Sequence, residues 1–286
     1  MTRVVYVNGR YLPYAQAGVH VEDRGLQFAD AIYEVCEVRA GALVDRTRHM
    51  ERLERSLAEL GIRQPMSRAA LSIVLSETVR RNRVKTGLVY LQITRGAAPR
   101  DFPFPRSGVS PTVICLARSL DGAVREARAS AGIAVATMPD TRWARCDIKT
   151  VMLLPAVLAK EDAGKAGAQE AWFVDRDGFV TEGASSNAWI VDRDGTLITR
   201  ALGHELLPGV TRRTLLDLLS REKIPLIERP FRVEEAIAAR EAFVTSAFGL
   251  VMPVVRINGV AIGDGHPGDL TRRLRSNFHQ VAELCR

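Results

Sequence analysis

Short stretches in the first half of the chain alternate between apolar and polar residues, and this period of two predicts β-strands. The stretch 32–39 is the clearest of them. Its alternation places Tyr33, Val35 and Glu37 on one face of the strand and the residues between them on the other face. Further strands are predicted at 4–7, 10–12, 88–95 and 112–118.

Helical spacing of apolar residues occurs between these strands. Leu53, Leu57 and Leu60 form one apolar stripe. That helix is predicted to begin at a Thr47 cap and to stop before Gly61. Further helices are predicted at 67–83, 154–167, 209–222 and 233–240, and from residue 269 onward.

The second half of the chain mixes short strands, glycine turns and helices, without the regular alternation of a doubly wound parallel sheet. The sequence therefore predicts a mixed α/β (α+β) fold. We expect a small N-terminal α/β domain over 1–119 and a larger C-terminal domain over 120–286. Residues 119–128 are expected to form a short connector.

An irregular loop is predicted at 96–108, because this stretch contains three prolines and two glycines. Loops of this kind often contain binding or catalytic residues, since they lie at the surface of a rigid scaffold. The loop is therefore a candidate part of a binding site.

The composition is that of an ordinary globular protein, since 47% of the 286 residues are hydrophobic and 26% are charged. The first residues contain no apolar signal-peptide region, and no apolar run approaches the length of a membrane span. The four cysteines are scattered without a CxxC pair, so we expect reduced thiols and a cytoplasmic location.

The net charge of +7 raises the question of nucleic-acid binding. The arginines are spread along the chain with acidic residues nearby, and aromatic residues make up only 6%. A solvated basic surface is therefore favoured over a nucleic-acid-binding stripe. A nucleic-acid-binding protein is the alternative from another functional class.

Lysine is rare in this chain, because only five of the 40 basic residues are lysines. An amine can lose its proton and attack a carbonyl group, which a guanidinium cannot do. Lys149 has the most apolar neighbours of the five, in the stretch 145–154. Its alternative role is that of a lysine that extends to water or pairs with Asp147. Lys160 and Lys165 lie in a polar stretch, so we expect their replacement by alanine to be nearly silent.

An acid and two glycine-containing turns occur in the second half of the chain. Glu182 lies among small and apolar residues, where a buried carboxylate needs a cation or strong hydrogen-bond donors. A helix is predicted to open at Gly209 with Val210 and Thr211, and a free helix N-terminus binds anions. A second Gly/Ser turn lies at 245–249. An amine, an acid and anion-binding turns are the groups that pyridoxal phosphate requires.

Other chemistries have little support in the sequence. The glycine motifs of nucleotide-binding proteins, the metalloprotease motif and the hydrolase nucleophile motif do not occur. The five histidines do not lie at metal-ligand spacing, so no metal site is predicted.

Four groups of residues occur in a characteristic order: Asp23-Arg-Gly-Leu-Gln-Phe28 with Tyr33-Glu-Val35, Thr94-Arg-Gly96 with Pro99-Arg100, Cys146-Asp-Ile-Lys149, and Val180-Thr-Glu-Gly-Ala-Ser-Ser-Asn187. Over nearly its whole length the chain resembles the fold-type IV pyridoxal-phosphate aminotransferases, and among them the bacterial D-amino-acid transaminases. The resemblance implies a homodimer that moves the amino group of D-amino acids to 2-oxoglutarate or pyruvate. It also implies a pseudo-barrel C-terminal domain, with pyridoxal 5'-phosphate between the two domains.

The resemblance also implies a role for each matching residue. Lys149 would form the Schiff base with the cofactor (the internal aldimine) and then transfer the substrate proton. Glu182 would pair with the pyridine nitrogen. The other residues implied to bind the cofactor are Arg52, Ser186, Val210, Thr211 and Ser246. The residues implied to line the substrate site are Tyr33, Val35, Glu37, Arg100 (from the other subunit) and Phe102.

Three positions depart from the pattern of the D-amino-acid enzymes. Phe102 stands where those enzymes have a histidine, Glu37 where the well-studied form has a lysine, and Ala247 where it has a threonine. The first two changes weaken the expected binding of the substrate α-carboxylate, and Arg24 is an alternative partner for that group. Transaminases of (R)-amines or branched-chain amino acids and aminodeoxychorismate lyases share the scaffold and stay open, although Tyr33 and Arg100 disfavour the lyase.

Overall fold

The computed structural model describes residues 3–106 and 108–285. Within this part of the chain the strands are β1 Val4–Val7, β2 Arg10–Pro13, β3 Ala31–Arg39, β4 Ala42–Val44, β5 Thr86–Thr94, β6 Thr112–Ser119, β7 Ile133–Pro139, β8 Glu170–Val174, β9 Val180–Gly183, β10 Asn187–Val191, β11 Leu197–Thr199, β12 Leu226–Glu228, β13 Glu241–Ser246, β14 Leu250–Ile257, β15 Val260–Ala261 and β16 Leu284–Cys285. The α-helices are α1 Arg24–Phe28, α2 Arg46–Glu59, α3 Arg68–Arg81, α4 Gly122–Ala131, α5 Leu154–Lys165, α6 Val210–Glu222, α7 Val233–Ile237 and α8 Asp269–Asn277. None of the helices in these residues is long and apolar enough to cross a membrane.

The elements form two compact units. The first unit consists of the chain up to Asp121, the segment Ile148–Met152 and the C-terminal residues from Glu283. The second unit consists of Gly122–Asp147 and Leu153–Ala282. The sequence predicts a single domain boundary near residue 119. In the structure the first unit also includes the short segment Ile148–Met152 and the C-terminal residues, so the chain passes between the units more than once.

The first unit is built on a seven-stranded antiparallel sheet with the order β16-β4-β3-β5-β6-β1-β2. Helix α2 packs against β3, and α3 packs against β6 and β1. The predicted apolar stripe of α2 is real, since Leu53 and Leu57 are buried there. Strand β3 shows the predicted alternation, with Glu34, Cys36 and Val38 buried on one face.

The second unit contains a mixed sheet with the order β12-β11-β10-β13-β14-β7-β8-β9, in which β15 also pairs with β14. Strand β7 runs parallel to both β14 and β8, while β10 runs antiparallel to both β11 and β13. Large aromatic side chains fill its interior, and Trp189 stacks on Phe243 with ring centroids 5.6 Å apart. The residues of this unit that the sequence assigns to the cofactor lie on β9, in the turn after β9, at the end of β13 and at the start of α6.

Two local details differ from the expectation. Residues 122–128 of the expected connector belong to helix α4, and Ala129 is the one residue that this helix buries, so no buried apolar stripe marks it. Helix α2 begins at Arg46 after Asp45, not at a Thr47 cap. The Thr47 hydroxyl instead donates to Glu283 Oε1 at 2.8 Å.

Candidate active site

The segment that contains Lys149 is attached to strand β3. Thr150 forms an antiparallel bridge with Ile32. The Tyr33 amide donates to the Lys149 carbonyl at 3.0 Å, and the Lys149 amide donates to Ser56 Oγ at 3.5 Å. The backbone on both sides of the lysine is therefore fixed by the first unit.

The Lys149 amine lies next to an aromatic pair. Its Nζ is 4.3 Å from the centroid of the Tyr33 ring, and that ring stacks on Tyr90 at 5.6 Å. The lysine side chain is half-buried. Asp147, the partner in the alternative role, is buried and accepts hydrogen bonds from Arg145 at 3.0 and 3.1 Å. The amine therefore lies on the face of β3 that contains Tyr33.

Two further candidate substrate residues, Val35 and Glu37, follow Tyr33 along the same face of β3. Val35 is half-buried, whereas Glu37 is only 2% exposed and lies opposite Leu88 in the sheet. The structure thus brings Tyr33, Val35 and Lys149 together, with Glu37 further along the strand and buried.

The opposite face of β3 contains a buried ionic cluster that the sequence did not reveal. Arg52 donates to both carboxylate oxygens of Glu34, at 2.7 and 2.8 Å, and His49 Nδ1 lies 2.7 Å from Glu34 Oε2. Burial alone would raise the pKa of Glu34, but Arg52 and then His49 lower it to about 2. Glu34 therefore orients Arg52, whose expected contact with a phosphate stays a prediction.

The loop 96–108 is attached to the rest of the first unit through Arg24. The Nε atom of Arg24 donates to Asp30 Oδ2 at 2.8 Å. Its Nη1 and Nη2 atoms donate to the carbonyls of Asp101 and Phe102, at 2.7 and 3.3 Å. The Arg24 side chain is only 4% exposed. Arg24 therefore binds Asp30 and the backbone of the loop, which leaves its expected alternative role at the substrate carboxylate a prediction.

Arg100 and Phe102 lie on the solvent side of this loop. The Arg100 side chain is exposed, and its guanidinium carbon is 5.2 Å from the centroid of the Phe28 ring. Phe102 is 77% exposed and packs against the same ring at 5.7 Å. Phe104 is 61% exposed. The loop thus presents two apolar rings and the cation Arg100 to its surroundings, and Arg106 is exposed on it as well.

Glu182 lies on β9 and is only 5% exposed. Its Oε2 accepts hydrogen bonds from Asn187 Nδ2 at 3.0 Å and from the Leu207 amide at 3.1 Å, while Oε1 accepts from Arg142 Nη1. Arg142 also forms a bidentate pair with Asp140, at 2.9 and 2.8 Å. Burial alone would lower the pKa of Arg142, but Asp140 and Glu182 raise it. A permanent cation beside Glu182 favours the charged carboxylate.

Asn187 connects Glu182 with two other parts of the second unit. Besides the contact with Glu182, its Oδ1 lies against Gly209, where an added Cβ would be 2.1 Å away. Only glycine fits at that position. In the sheet Asn187 pairs with Thr245, the residue before Ser246. The Asn187 side chain therefore contacts both the Glu182 carboxylate and the start of α6, and its backbone pairs with the strand that ends at Ser246.

The predicted phosphate-binding residues occupy the start of α6 and the end of β13. Gly209 precedes the helix and makes no side-chain cap, so the first amides, including Val210 and Thr211, have no acceptor within the helix. Such amides and the helix dipole favour an anion. Ser246 ends β13, and its Oγ accepts from the Gly249 amide at 3.2 Å. The contact of these groups with a phosphate stays a prediction.

Ser186 lies in the turn between β9 and β10. Its Oγ donates to Glu170 Oε2 at 3.1 Å, and Ser185 Oγ donates to the same oxygen at 2.7 Å. Glu170 is only 4% exposed. Ser186 is thus held by a buried acid, and its contact with a cofactor stays a prediction.

Each unit contains donor groups of a different kind. The first unit offers an amine, and the second offers a buried carboxylate and an anion-binding helix start. Across residues 3–106 and 108–285, no group of three or more His, Cys, Asp or Glu residues could hold a metal ion.

Comparison with known proteins identifies the family. The model of the amino-transferase class IV family matches residues 31–257. The chain belongs to this family. It is 39% identical to the D-alanine aminotransferase of Staphylococcus haemolyticus over 99% of both chains. The Escherichia coli branched-chain amino acid aminotransferase superimposes with a TM-score of 0.90 at 23% identity, covering 98% of this chain and 95% of that chain.

The class IV aminotransferase has the fold-type IV architecture and depends on pyridoxal phosphate. A second branched-chain amino acid aminotransferase, from T.th., was solved with pyridoxamine 5'-phosphate. It has a TM-score of 0.89 at 24% identity, over 98% of this chain and 94% of that chain. The family, fold and cofactor expected from the motifs are therefore confirmed. The roles of individual residues stay predictions.

Sequence reasoning missed the residues that orient the candidate site. Arg142, Glu34 and His49 have ordinary local surroundings in the sequence, and each acts through a partner that is distant along the chain. One signal was present, since a buried Glu182 needed a cation. Because the chain has 40 basic residues, the sequence could not identify which of them pairs with Glu182.

Proposed function

We propose that this aminotransferase takes the amino group from D-amino acids and transfers it to a 2-oxo acid, either 2-oxoglutarate or pyruvate. The observation that supports this most strongly is the similarity to the D-alanine aminotransferase of Staphylococcus haemolyticus, at 39% identity over 99% of both chains. The branched-chain enzymes among the solved structures are 23–24% identical to this chain and support the fold alone.

Lys149 would do the central chemical work. Pyridoxal phosphate, when bound, supplies an electron sink for the negative charge that develops at the substrate Cα. Lys149 Nζ would hold the cofactor covalently until the substrate amine displaces it, and the released amine would then move the proton from the substrate Cα to C4′ of the cofactor. Because its backbone is fixed to β3, the amine would approach the substrate from the side of Tyr33 only.

Glu182 would keep a proton on the ring nitrogen of the cofactor. Arg142 favours the charged form of this carboxylate, and Asn187 with the Leu207 amide orients it. The phosphate would bind at the other end, at the first amides of α6 and at Ser246, with Arg52 as a cationic partner. The charges required at each end of the cofactor are therefore available.

Arg100 and Tyr33 would bind the α-carboxylate of the substrate, and we propose that Arg100 acts in the site of a partner subunit. The loop of Arg100 is exposed together with Phe102 and Phe104. Helix α5 also has an exposed apolar face, formed by Leu154, Val157 and Leu158. Both features support a homodimer, because large exposed apolar patches usually mark an interface.

Mixed dimers test this arrangement. One subunit would carry Lys149→Ala and the other Arg100→Ala, and each variant would be inactive or weak when mixed only with itself. If Arg100 serves the partner, mixing restores activity, because one site regains both residues. No restoration in dimers verified by mass would place Arg100 in its own subunit's site.

A stereochemical substrate screen tests the reaction. D- and L-amino acids, branched-chain amino acids and (R)-amines would each be offered with 2-oxoglutarate and pyruvate. We expect turnover of D-alanine and related D-amino acids. A clear preference for (R)-amines would support the second candidate, which the apolar Phe102 and the acidic Glu37 favour. A preference for L-amino acids would contradict the proposal.

We also propose a cytoplasmic location. All four cysteines are free thiols, which suits a reducing compartment. Cell fractionation followed by an aminotransferase assay tests the location, and activity outside the cytoplasmic fraction would contradict it.

A further inference from the structure

Lys160 makes a contact that its polar sequence surroundings did not suggest. It lies on α5, and its Nζ is 3.2 Å from Glu170 Oε1 at the start of β8. The same ammonium donates to the Gln169 carbonyl at 2.8 Å. Lys160 is 40% exposed, whereas the Glu170 side chain is only 6% exposed. The lysine therefore brings a positive charge to the edge of a buried carboxylate.

Glu170 has one cationic partner within the described part of the chain, and that partner is Lys160. Its other contacts are neutral donors: the Ala171 amide at 2.9 Å, Ser185 Oγ at 2.7 Å and Ser186 Oγ at 3.1 Å. Removing the cationic partner of a buried carboxylate is costly, because the remaining charge is then less well compensated. Loss of Lys160 would leave Glu170 with the neutral donors alone.

Ser185 and Ser186 lie in the turn that connects Glu182 with its hydrogen-bond partner Asn187. Residues 183–186 connect Glu182 to Asn187, and these two side chains are hydrogen-bonded at 3.0 Å. The turn is tight, since the Gly183 amide donates to the Ser186 carbonyl at 2.7 Å. An added Cβ at Gly183 would lie 2.3 Å from Ser186 Oγ. A shift of the serine hydroxyls therefore moves the turn and the ends of both strands.

We propose that Lys160 is a positioning residue for the cofactor site: it pairs with Glu170 and fixes the orientation of that carboxylate, Glu170 holds the hydroxyls of Ser185 and Ser186, and the turn thereby fixes Glu182 relative to Asn187. This inference rests on the proposed role of Glu182 at the ring nitrogen. Lys160 itself does not touch substrate or cofactor. Its removal alters how firmly the cofactor is bound and how well the ring is protonated.

Lys165 is a matched control. It lies on the same helix, and its Nζ pairs with Asp162 at 3.0 Å, with both side chains more than half exposed. Lys160→Met and Lys165→Met each remove one charge and keep most of the aliphatic stem.

Both variants would be purified with pyridoxal phosphate. Cofactor release after dilution would be followed by visible absorbance, and kcat and KM would be measured for D-alanine with 2-oxoglutarate.

We expect Lys160→Met to release the cofactor about tenfold faster and to lower kcat by a similar factor, the size of effect typical of outer-shell hydrogen-bond partners. KM for D-alanine should change little, Lys160→Arg should recover most of the loss, and Lys165→Met should match the wild type. Equal cofactor release and kcat in Lys160→Met and Lys165→Met would overturn the proposal, even if Lys160→Met melted at a lower temperature.

A double variant separates charge from packing. Glu170→Gln removes the unpaired charge and keeps a side-chain oxygen for the serines. Combined with Lys160→Met, it should hold the cofactor better than Lys160→Met alone. No improvement would contradict a role through Glu170. Failure of the proposed function gives a different result: the wild type would bind the cofactor without turning over D-alanine, and the cofactor-release comparison would still decide the role of Lys160.

Discussion

The Glu182 carboxylate and the Arg100 guanidinium are both charged groups of the candidate site, but the chain holds them very differently. Glu182 is 5% exposed and receives hydrogen bonds from Arg142, Asn187 and a backbone amide. Arg100 lies exposed on a loop and is placed against the ring of Phe28. The Glu182 carboxylate is therefore immobilised by its partners, whereas the placement of Arg100 depends on one loop.

This difference indicates where function can change. A buried group with several partners cannot be replaced without disturbing those partners, because unpaired buried polar groups are costly. An exposed loop residue can be replaced at little cost in stability. We therefore expect substitutions in the buried set to affect kcat and cofactor binding, and substitutions in the loop to affect KM and substrate choice.

The largest effect is expected for Lys149→Ala. Only an amine at this position can bind the cofactor covalently and transfer the proton, so activity should fall by at least about 1,000-fold, as when a covalent catalyst is removed. Steady-state kinetics would measure the loss, and circular dichroism would verify the fold. Substantial turnover by the folded variant would contradict the assignment.

Glu182→Gln should lower kcat by about 100-fold, within the range for groups that control a proton. A neutral amide cannot keep the ring nitrogen protonated, yet its size leaves the hydrogen bond from Asn187 possible. The cofactor should still bind, which absorbance can verify. A wild-type kcat would make Glu182 a purely structural residue.

Glu34→Gln tests whether the first unit also has an immobilised charge. The pKa of Glu34 is about 2 in the folded protein, against 4.5 for an ordinary glutamate. The ionised Glu34 therefore contributes fully to stability at pH values above its ordinary pKa of 4.5. This contribution is lost as the pH falls through its folded-state pKa of about 2. Between pH 4.5 and pH 2.5 the wild type should lose about 2 kcal/mol that the variant does not lose.

Urea unfolding at several pH values would measure this difference. Glu54→Gln is the control, because Glu54 forms an exposed pair with Arg68 and should contribute little to the pH dependence. Parallel pH profiles for the wild type and Glu34→Gln would show that Glu34 is not held as a buried anion.

Arg100→Ala should act on the substrate alone. A hydrogen bond to a charged group contributes about 1.5–3 kcal/mol, so KM for D-amino acids should rise tenfold or more. A simple (R)-amine has no α-carboxylate, and its KM should change little. Cofactor release should also stay unchanged. An unaltered KM for D-alanine would mean that another residue binds the carboxylate.

Phe102→His should give the smallest effect. The Phe102 carbonyl accepts from Arg24 whatever its side chain, so the loop should keep its place. A histidine adds a donor that the ring of phenylalanine lacks, and KM for D-amino acids should fall several-fold. Phe104→His is the matched control on the same exposed loop. Equal effects of both variants would show that Phe102 only packs the loop.

The sequence was informative where the chemistry requires a particular residue type. Lys149 and Glu182 could be named because each lies in a motif that resembles the family, and the amine and the acid fit the chemistry of the cofactor. The partners of these residues could not be named, since Arg142 and Lys160 resemble many other basic residues until the fold brings them to an acid. Arg24 illustrates the same limit, because its contacts with Asp30 and the loop backbone cannot be identified from its position in the sequence.

The segment Ile148–Met152 has a consequence for protein engineering. It packs with the first unit although the chain on either side of it belongs to the second. A chimera of two aminotransferases joined near Asp121 would therefore place the lysine segment of one parent against the β3 strand of the other. The first unit, which is the smaller piece that can be exchanged with its own contacts intact, consists of three separate stretches of chain. Recombination libraries should therefore exchange Ile148–Met152 together with the N-terminal half.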